Sequence, residues 1–230
     1  RAEQIKRQGF LVVTADKGLA GAYNHNVLKK AEELYEQSKA PHMYVVGELG
    51  YHYFMSRNIP MQEEFHYTAQ NPTMHRARTI ADAIIDAYLR EELDEVYMIY
   101  TRMVNSMEEE VKVEKLLPLV RADFGGKPEA QILLNTYQEE FQFLPSPESL
   151  LNHMVPNYIT GYIYGALIES FSCEQNARMQ AMKAATDNAT SMLRELSIAY
   201  NRIRQSAITQ EITEVVGGAK ALKRKKAKQK

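Results

Sequence analysis

One stretch limits what this chain can fold into more than any other. Between Asn157 and Val216 there is no proline, and the only glycines, Gly161 and Gly165, lie near its start. The spacing predicts one nearly uninterrupted helix from Asn157 to Leu222. At about 1.5 Å per residue this is a rod of roughly 100 Å, and a domain built from 230 residues cannot cover it.

The apolar positions of the rod call for a partner. Met182, Ala185, Ala189, Met192, Leu196, Ala199 and Ile203 step by three and four, the seam of a left-handed coiled coil. The phase breaks after Ile203 and resumes at Ile208, Ile212, Val215, Ala219 and Leu222, a discontinuity that alters supercoiling locally. Alanines along the seam let a second helix approach closely. On the polar face Arg178, Lys183, Arg194, Arg202 and Arg204 outnumber Asp187 and Glu195, so the shaft is basic and suits an acidic surround.

The first two thirds of the chain read differently. Phe10-Leu-Val-Val13, Met43-Tyr-Val-Val46 and Val96-Tyr-Met-Ile-Tyr-Thr101 are short apolar, β-branched runs, each the pattern of a buried strand. Between them lie a helix through Leu28, Ala31, Leu34 and Tyr35 with Asn24 or Asn26 as its cap, a short helix ending at Arg57, and a helix capped by Thr73 that carries Ile80, Ile84, Ala87 and Tyr88 on one face. Alternation of this kind implies a mostly parallel, Rossmann-like α/β sheet covered by helices. Glu108–Leu117 alternates and should pair with the strand before it, and Ile132 to Phe143 suggests a last strand running to Pro145. Ser146-Pro147-Glu148 is a good helix start, Pro156 should kink the helix, and Tyr158, Tyr162, Ile163, Leu167, Ile168 and Phe171 should pack on the sheet domain.

Chemistry-bearing patterns are sparse. The turn Asp16-Lys-Gly-Leu-Ala-Gly21 lacks the third glycine of a dinucleotide fingerprint and the Gly-Lys-Ser/Thr ending of a P-loop. The 6 histidines have no metal-ligand spacing, and no cofactor or metal is expected. The single cysteine, Cys173, excludes an internal disulfide and reads as a packing residue. No apolar run reaches the roughly 20 residues of a membrane span. A formal net charge of -1 with 25% charged residues points away from a general nucleic-acid binder. The tail Lys223-Arg-Lys-Lys-Ala-Lys-Gln-Lys230 reads as a solvated, disordered basic end, with binding to phosphates or anionic lipid as the alternative.

Two segments carry a resemblance. Glu174-Gln-Asn-Ala-Arg-Met-Gln-Ala-Met-Lys-Ala-Ala-Thr-Asp-Asn-Ala189 and Tyr200-Asn-Arg-Ile-Arg-Gln-Ser-Ala-Ile-Thr-Gln-Glu-Ile-Thr-Glu-Val-Val-Gly-Gly218 resemble the C-terminal signature of gamma subunits of F-type rotary ATP synthases. Gly9-Phe-Leu-Val-Val-Thr-Ala-Asp-Lys-Gly-Leu-Ala-Gly-Ala-Tyr-Asn24 resembles the same family. The resemblance implies a remnant of an N-terminal helix or a linker at 1–8, a Rossmann-like collar at 9–145, a shaft helix at 146–222 and a basic tail at 223–230. Family members begin with a long helix that forms an antiparallel coiled coil with the C-terminal one, and Arg1-Ala-Glu-Gln4 resembles only its end, so most of that helix is expected to be lacking.

The resemblance further implies a central rotary stalk, non-catalytic itself, that couples rotation of a proton-driven membrane ring to ATP synthesis or hydrolysis on beta subunits. It places Arg204, Gln205, Thr209, Glu211 and Glu214 in a polar catch with beta, and Arg178 and Lys183 on the lower shaft facing beta. Phe141, Gln142 and Phe143 fall at the foot that meets the c-ring and the epsilon subunit. An acid common before the proline there is replaced by Leu144. Implied partners are three alpha, three beta, epsilon and the c-ring, with no nucleic acid and no membrane contact except through the ring. The implied location is the cytoplasmic face of a bacterial plasma membrane, with the mitochondrial matrix side as the alternative. The readings outside this family are a nucleotide-binding α/β protein using the Gly18–Gly21 turn, or a helical scaffold using the basic tail.

Overall fold

The computed structural model describes residues 6–65, 69–105, 108–119 and 147–228. The described elements run β1 (Gln8–Val13), α1 (Tyr23–Gln37), β2 (Pro41–Val46), α2 (Glu48–Ser56), β3 (Met61–Phe65), α3 (Met74–Leu89), β4 (Glu95–Asn105), β5 (Glu108–Leu117) and α4 (Pro147–Lys228). They form two compact units, split between Ala181 and Met182.

In the first unit five strands lie in the order β3-β2-β1-β4-β5. The first four are parallel, and β5 returns antiparallel on the edge beside β4. Phe10, Val12, Met43, Val45 and Ile99 point to the face covered by α1 and α2, where Val27, Leu28, Ala31 and Phe54 complete the core. Leu11, Val13, Tyr44, Val46, Met98 and Tyr100 point to the other face, under Ile80 and Ile84 of α3 and Ile159, Ile163, Ala166 and Leu167 of α4. The period-two alternation of the strands thus feeds two helical layers, as a parallel sheet requires.

Helix α4 docks along a stripe that keeps Ile163 and Leu167 of the predicted set, with Tyr162 packed at its side, and differs in the rest. Ile159, Ile163, Ala166, Leu167, Ser170, Cys173 and Glu174 are buried, whereas Tyr158 and Ile168 are exposed. The helix phase, not side-chain size, selects the stripe, so small and polar residues enter it. They are used: pairing of β1 with β4 stops at Ile99, and beyond it Thr101 would leave backbone groups unmet. The Thr101 N–H donates to Ser170 Oγ at 3.2 Å, and the Thr101 carbonyl accepts from Ser170 Oγ at 3.4 Å and Cys173 Sγ at 3.7 Å. Cys173 is therefore packed and bonded, and burial pushes its thiol up to about 12.

Other expectations also shift. Thr73 does cap α3, its Oγ1 accepting from the Arg76 N–H at 3.3 Å. Helix α1 begins earlier than a cap at Asn24 or Asn26 would place it, at Tyr23 after Ala22, with no side-chain cap, and Asn24 turns back to accept from the Ala15 N–H at 2.9 Å. Strand β3 was not legible because Met-Gln-Glu-Glu-Phe has the polarity of an edge. Helix α4 contains Pro156 within its span and runs on to Lys228, so the basic stretch expected to be disordered continues the helix instead, in keeping with the helix propensity of Lys and Arg. The expected last strand before Pro145 lies outside the described residues.

In the second unit, every residue of α4 from Met182 to Ala221 is exposed. The seam residues Met192, Leu196, Ile203, Ile212 and Val215 are among them.

The junction of β1, β2 and α2 tolerates no bulk. Gly47 has φ +99, and a Cβ there would run into the Thr14 carbonyl; one at Gly50 would meet Thr14 Oγ1 at 2.6 Å. Thr14 Oγ1 in turn donates to the Val46 carbonyl and accepts from the Gly50 N–H. Gly47→Ala should therefore lower stability by about 2–4 kcal/mol through backbone strain and overpacking, read as a lower urea midpoint at unchanged slope.

Candidate functional site

The functional side chains expected from sequence sit on two different supports. At the end of the first unit, Arg178 is fixed by its own collar. Its Nη2 donates to Glu174 Oε1 at 2.6 Å and to the carbonyls of Lys17 and Gly18 at 3.3 and 3.1 Å. Glu174, four residues back on the same face of the helix, is 2% exposed. Burial raises its pKa, against the opposing pull of Arg178. The guanidinium joins helix and turn as a planar, always-charged donor.

The turn it grips is held from other sides too. Asp16 Oδ1 accepts from the Glu48 N–H at 3.1 Å and Oδ2 from the Gln70 N–H at 2.9 Å. Leu19 at the tip has φ +65 and is 76% exposed. A non-glycine residue in that region is strained, and these bonds over-determine it. The tie between Arg178 and residues 17 and 18 could not be read from local sequence, because the partners are about 160 positions apart.

On the exposed helix, Lys183 stands free in solvent. Further on, Arg202, Gln205, Ser206, Thr209, Gln210, Thr213 and Glu214 line one shallow polar groove. Three of the expected catch residues, Gln205, Thr209 and Glu214, are thus brought together. Gln210 Nε2 donates to Glu214 Oε1 at 3.0 Å, and Thr213 Oγ1 donates to the Thr209 carbonyl at 2.8 Å. Arg204 and Glu211, seven apart, share a different side of the helix. Arg202, read from sequence only as one of the cations of the basic face, belongs to the groove with Ser206 and Gln210, neither of which was singled out although the three- and four-residue spacing was available. Phe141, Gln142 and Phe143 lie outside the described residues.

No group of three or more His, Cys, Asp or Glu among the described residues is placed to hold a metal ion. No helix among them is long and apolar enough to cross a membrane. A polar face on a fully exposed helix encloses no cavity for a small substrate.

Comparison with known proteins places the chain. The ATP synthase family model matches residues 1–222. An ATP synthase gamma chain from Acetivibrio thermocellus is 43% identical over 223 residues, covering 95% of this chain and 74% of that protein. The chain belongs to the ATP synthase gamma-chain family. It is accordingly a central rotary stalk subunit. A sodium-ion-specific ATP synthase gamma chain from Acetobacterium woodii is 35% identical, over 95% of this chain and 76% of that protein. Among solved structures, the central stalk and c-ring of the Tetrahymena thermophila mitochondrial ATP synthase matches with a TM-score of 0.62 at 27% identity, over 81% of this chain and 79% of that one. The chain spans about three quarters of the length of these bacterial relatives.

Arg178→Ala would leave the Glu174 carboxylate buried and unpaired, and should cost about 3 kcal/mol of stability at pH 8. A carboxylate whose folded pKa is raised binds protons more readily folded than unfolded, so stability falls as pH rises through that interval. The deficit of the variant should therefore shrink on acidification from pH 8 towards pH 5, as read by urea titrations at each pH.

Proposed function

We propose that this subunit is the non-catalytic shaft of the synthase, turning within a ring of three alpha and three beta subunits and joined at its foot to epsilon and the membrane ring. The ATP chemistry then takes place on beta, and this chain supplies asymmetry. An off-centre shaft meets three otherwise equivalent sites with different faces, so each site has a different affinity for nucleotide at a given angle. Torque is the change of those contact energies with rotation. Which ion drives the ring is decided in the ring, and a sodium-ion-specific relative is compatible with the same shaft.

One observation supports the reading above others: a run from Met182 to Ala221 in which every residue is exposed, with an apolar seam along it. Isolated helices gain little stability in water without packing. An antiparallel helix and the surrounding subunits would cover this seam. Gln205, Thr209 and Glu214 in the polar groove, with Arg204 and Glu211 beside it, form the catch with beta, and Lys183 faces beta lower down. Arg178 acts there by holding the 16–21 turn while its exposed edge faces the same subunit. Phe141, Gln142 and Phe143 contact the c-ring and epsilon. The complex sits peripherally on the cytoplasmic face of a bacterial plasma membrane.

Replacing Gln205 or Thr209 with leucine should lower ATP turnover of the assembled complex by about tenfold, the effect of roughly 1.4 kcal/mol in a rate-determining contact. The circular dichroism and melting temperature of the chain should stay the same, because both positions are exposed. Unchanged coupled turnover would remove these residues from the catch. Association itself is tested by light scattering of the chain mixed with alpha, beta and magnesium-ATP, where a mass of three alpha, three beta and one gamma is expected.

A further inference from the structure

Beside the 16–21 turn lies a cleft of about 230 Å³ within the first unit, lined by Ala20, Gly21 and Ala22, by Glu108 and Glu109 of β5, and by Asn176, Gln180 and Ala181 of α4. Its walls are tied to the fold by hydrogen bonds and strand pairing. Arg178 and Asp16 fix the turn, and Glu109 is in register with Met103 on β4.

Glu109 is the anomaly. It is half-buried, and burial alone raises its carboxyl pKa. Among the described residues its side chain has no hydrogen bond or ion pair, whereas Glu110 next to it pairs with Lys112, and Asn105 donates to Glu108. The pKa values of Tyr23 and Cys173 behind it are raised chiefly by burial, and the charge of Glu109 adds to that rise. A carboxylate that is partly desolvated and unpaired costs stability in the free protein. Such a cost is relieved when a cation enters the cleft.

We propose that this cleft is a docking socket for one lysine or arginine side chain of the subunit that closes around the exposed helix, with Glu109 as the paired acid. A cleft of this volume holds a long aliphatic stem, and the alanines of its lining suit the methylenes of such a stem. Leu19, exposed at the tip of the braced turn, adds an apolar knob next to the socket, so the partner segment carries an apolar recess near its cation. The lining ends at Ala181, one residue before the fully exposed stretch begins, so a subunit gripping that stretch has the socket within reach along the chain. The inference rests on the stalk reading.

The test uses Glu109→Gln in the full chain. The variant should melt at the same temperature as the parent or higher, since an unpaired, partly buried charge has been removed. Its dissociation constant from the alpha-beta ring, measured by displacement of labelled parent chain, should rise about tenfold, with a shallower dependence on salt. A parent that binds while the variant binds equally well overturns the socket alone. A parent that fails to bind the ring overturns the stalk reading instead. A dimer of the isolated chain that Glu109→Gln abolishes would overturn the socket in favour of a second copy as occupant.

Discussion

The stability of this molecule rests on the docking of one stripe of α4 onto the sheet. Ile159, Ile163, Ala166 and Leu167 enter the same core as Leu11, Val46, Ile84 and Met98. Each large aliphatic side chain so buried is worth about 1.5–3 kcal/mol relative to exposure. The next turns hold on by polar bonds, Ser170 and Cys173 to the β4 backbone and Arg178 to the 16–21 turn. The same helix continues past Ala181 with no such support. What keeps it helical there is its composition, rich in alanine and long unbranched side chains and free of proline, and the partners it is built to meet.

Charge in the first unit is arranged by the same logic of satisfaction and deficit. At the start of β4, Glu95 is buried yet accepts from Lys6, Lys115, Gln8 and Tyr97, and its carboxyl is held down to about 2. Arg7 forks onto Asp94 beside it through Nε and Nη2, and the Asp94 carboxyl also falls to about 2. These partners tie the residues just before β1 to the base of the sheet. Near the other end of β4, Glu174 and Glu109 are raised by burial instead. The first end is complete within this chain. The second is complete only at Glu174, and Glu109 is left for something outside.

Much of the fold was legible because strand and helix signals here are local. The runs at Phe10, Met43 and Val96 have no other good reading than buried parallel strands, and Thr73 announced its cap. The errors have physical causes. Asn24 looked like a cap but is spent on the Ala15 N–H across the turn. Tyr158 and Ile168 looked like core because they are large, yet the helix phase presents Ile159, Ser170 and Cys173 to the sheet. On the exposed helix Gln205 and Thr209 were pointed to by the family resemblance, and their four-residue spacing agrees with a shared face. The grip of Arg178 on Lys17 and Gly18, and the socket at Glu109, depend on chain segments far apart in sequence, and no periodicity announces them.

A single helix becomes a useful shaft only if its sides differ. At 3.6 residues per turn, Gln205, Thr209, Gln210 and Thr213 gather on one side. Ile208, Ile212 and Val215 fall on another, and Arg204 and Glu211 on the border between them. In the proposed role, a ring subunit facing the first side exchanges hydrogen bonds with neutral polar groups and can re-form them with water. One facing the isoleucines must cover apolar surface or expose it. One facing Arg204 and Glu211 meets a cation and an anion about 10 Å apart along the axis, two turns of pitch. The three contacts differ in their dependence on salt, temperature and shape, so no rotation by a third of a turn restores the same interaction. Asymmetry of this kind needs no bend and no catalytic group in this chain, only a sequence whose chemistry does not repeat with the symmetry of the ring around it.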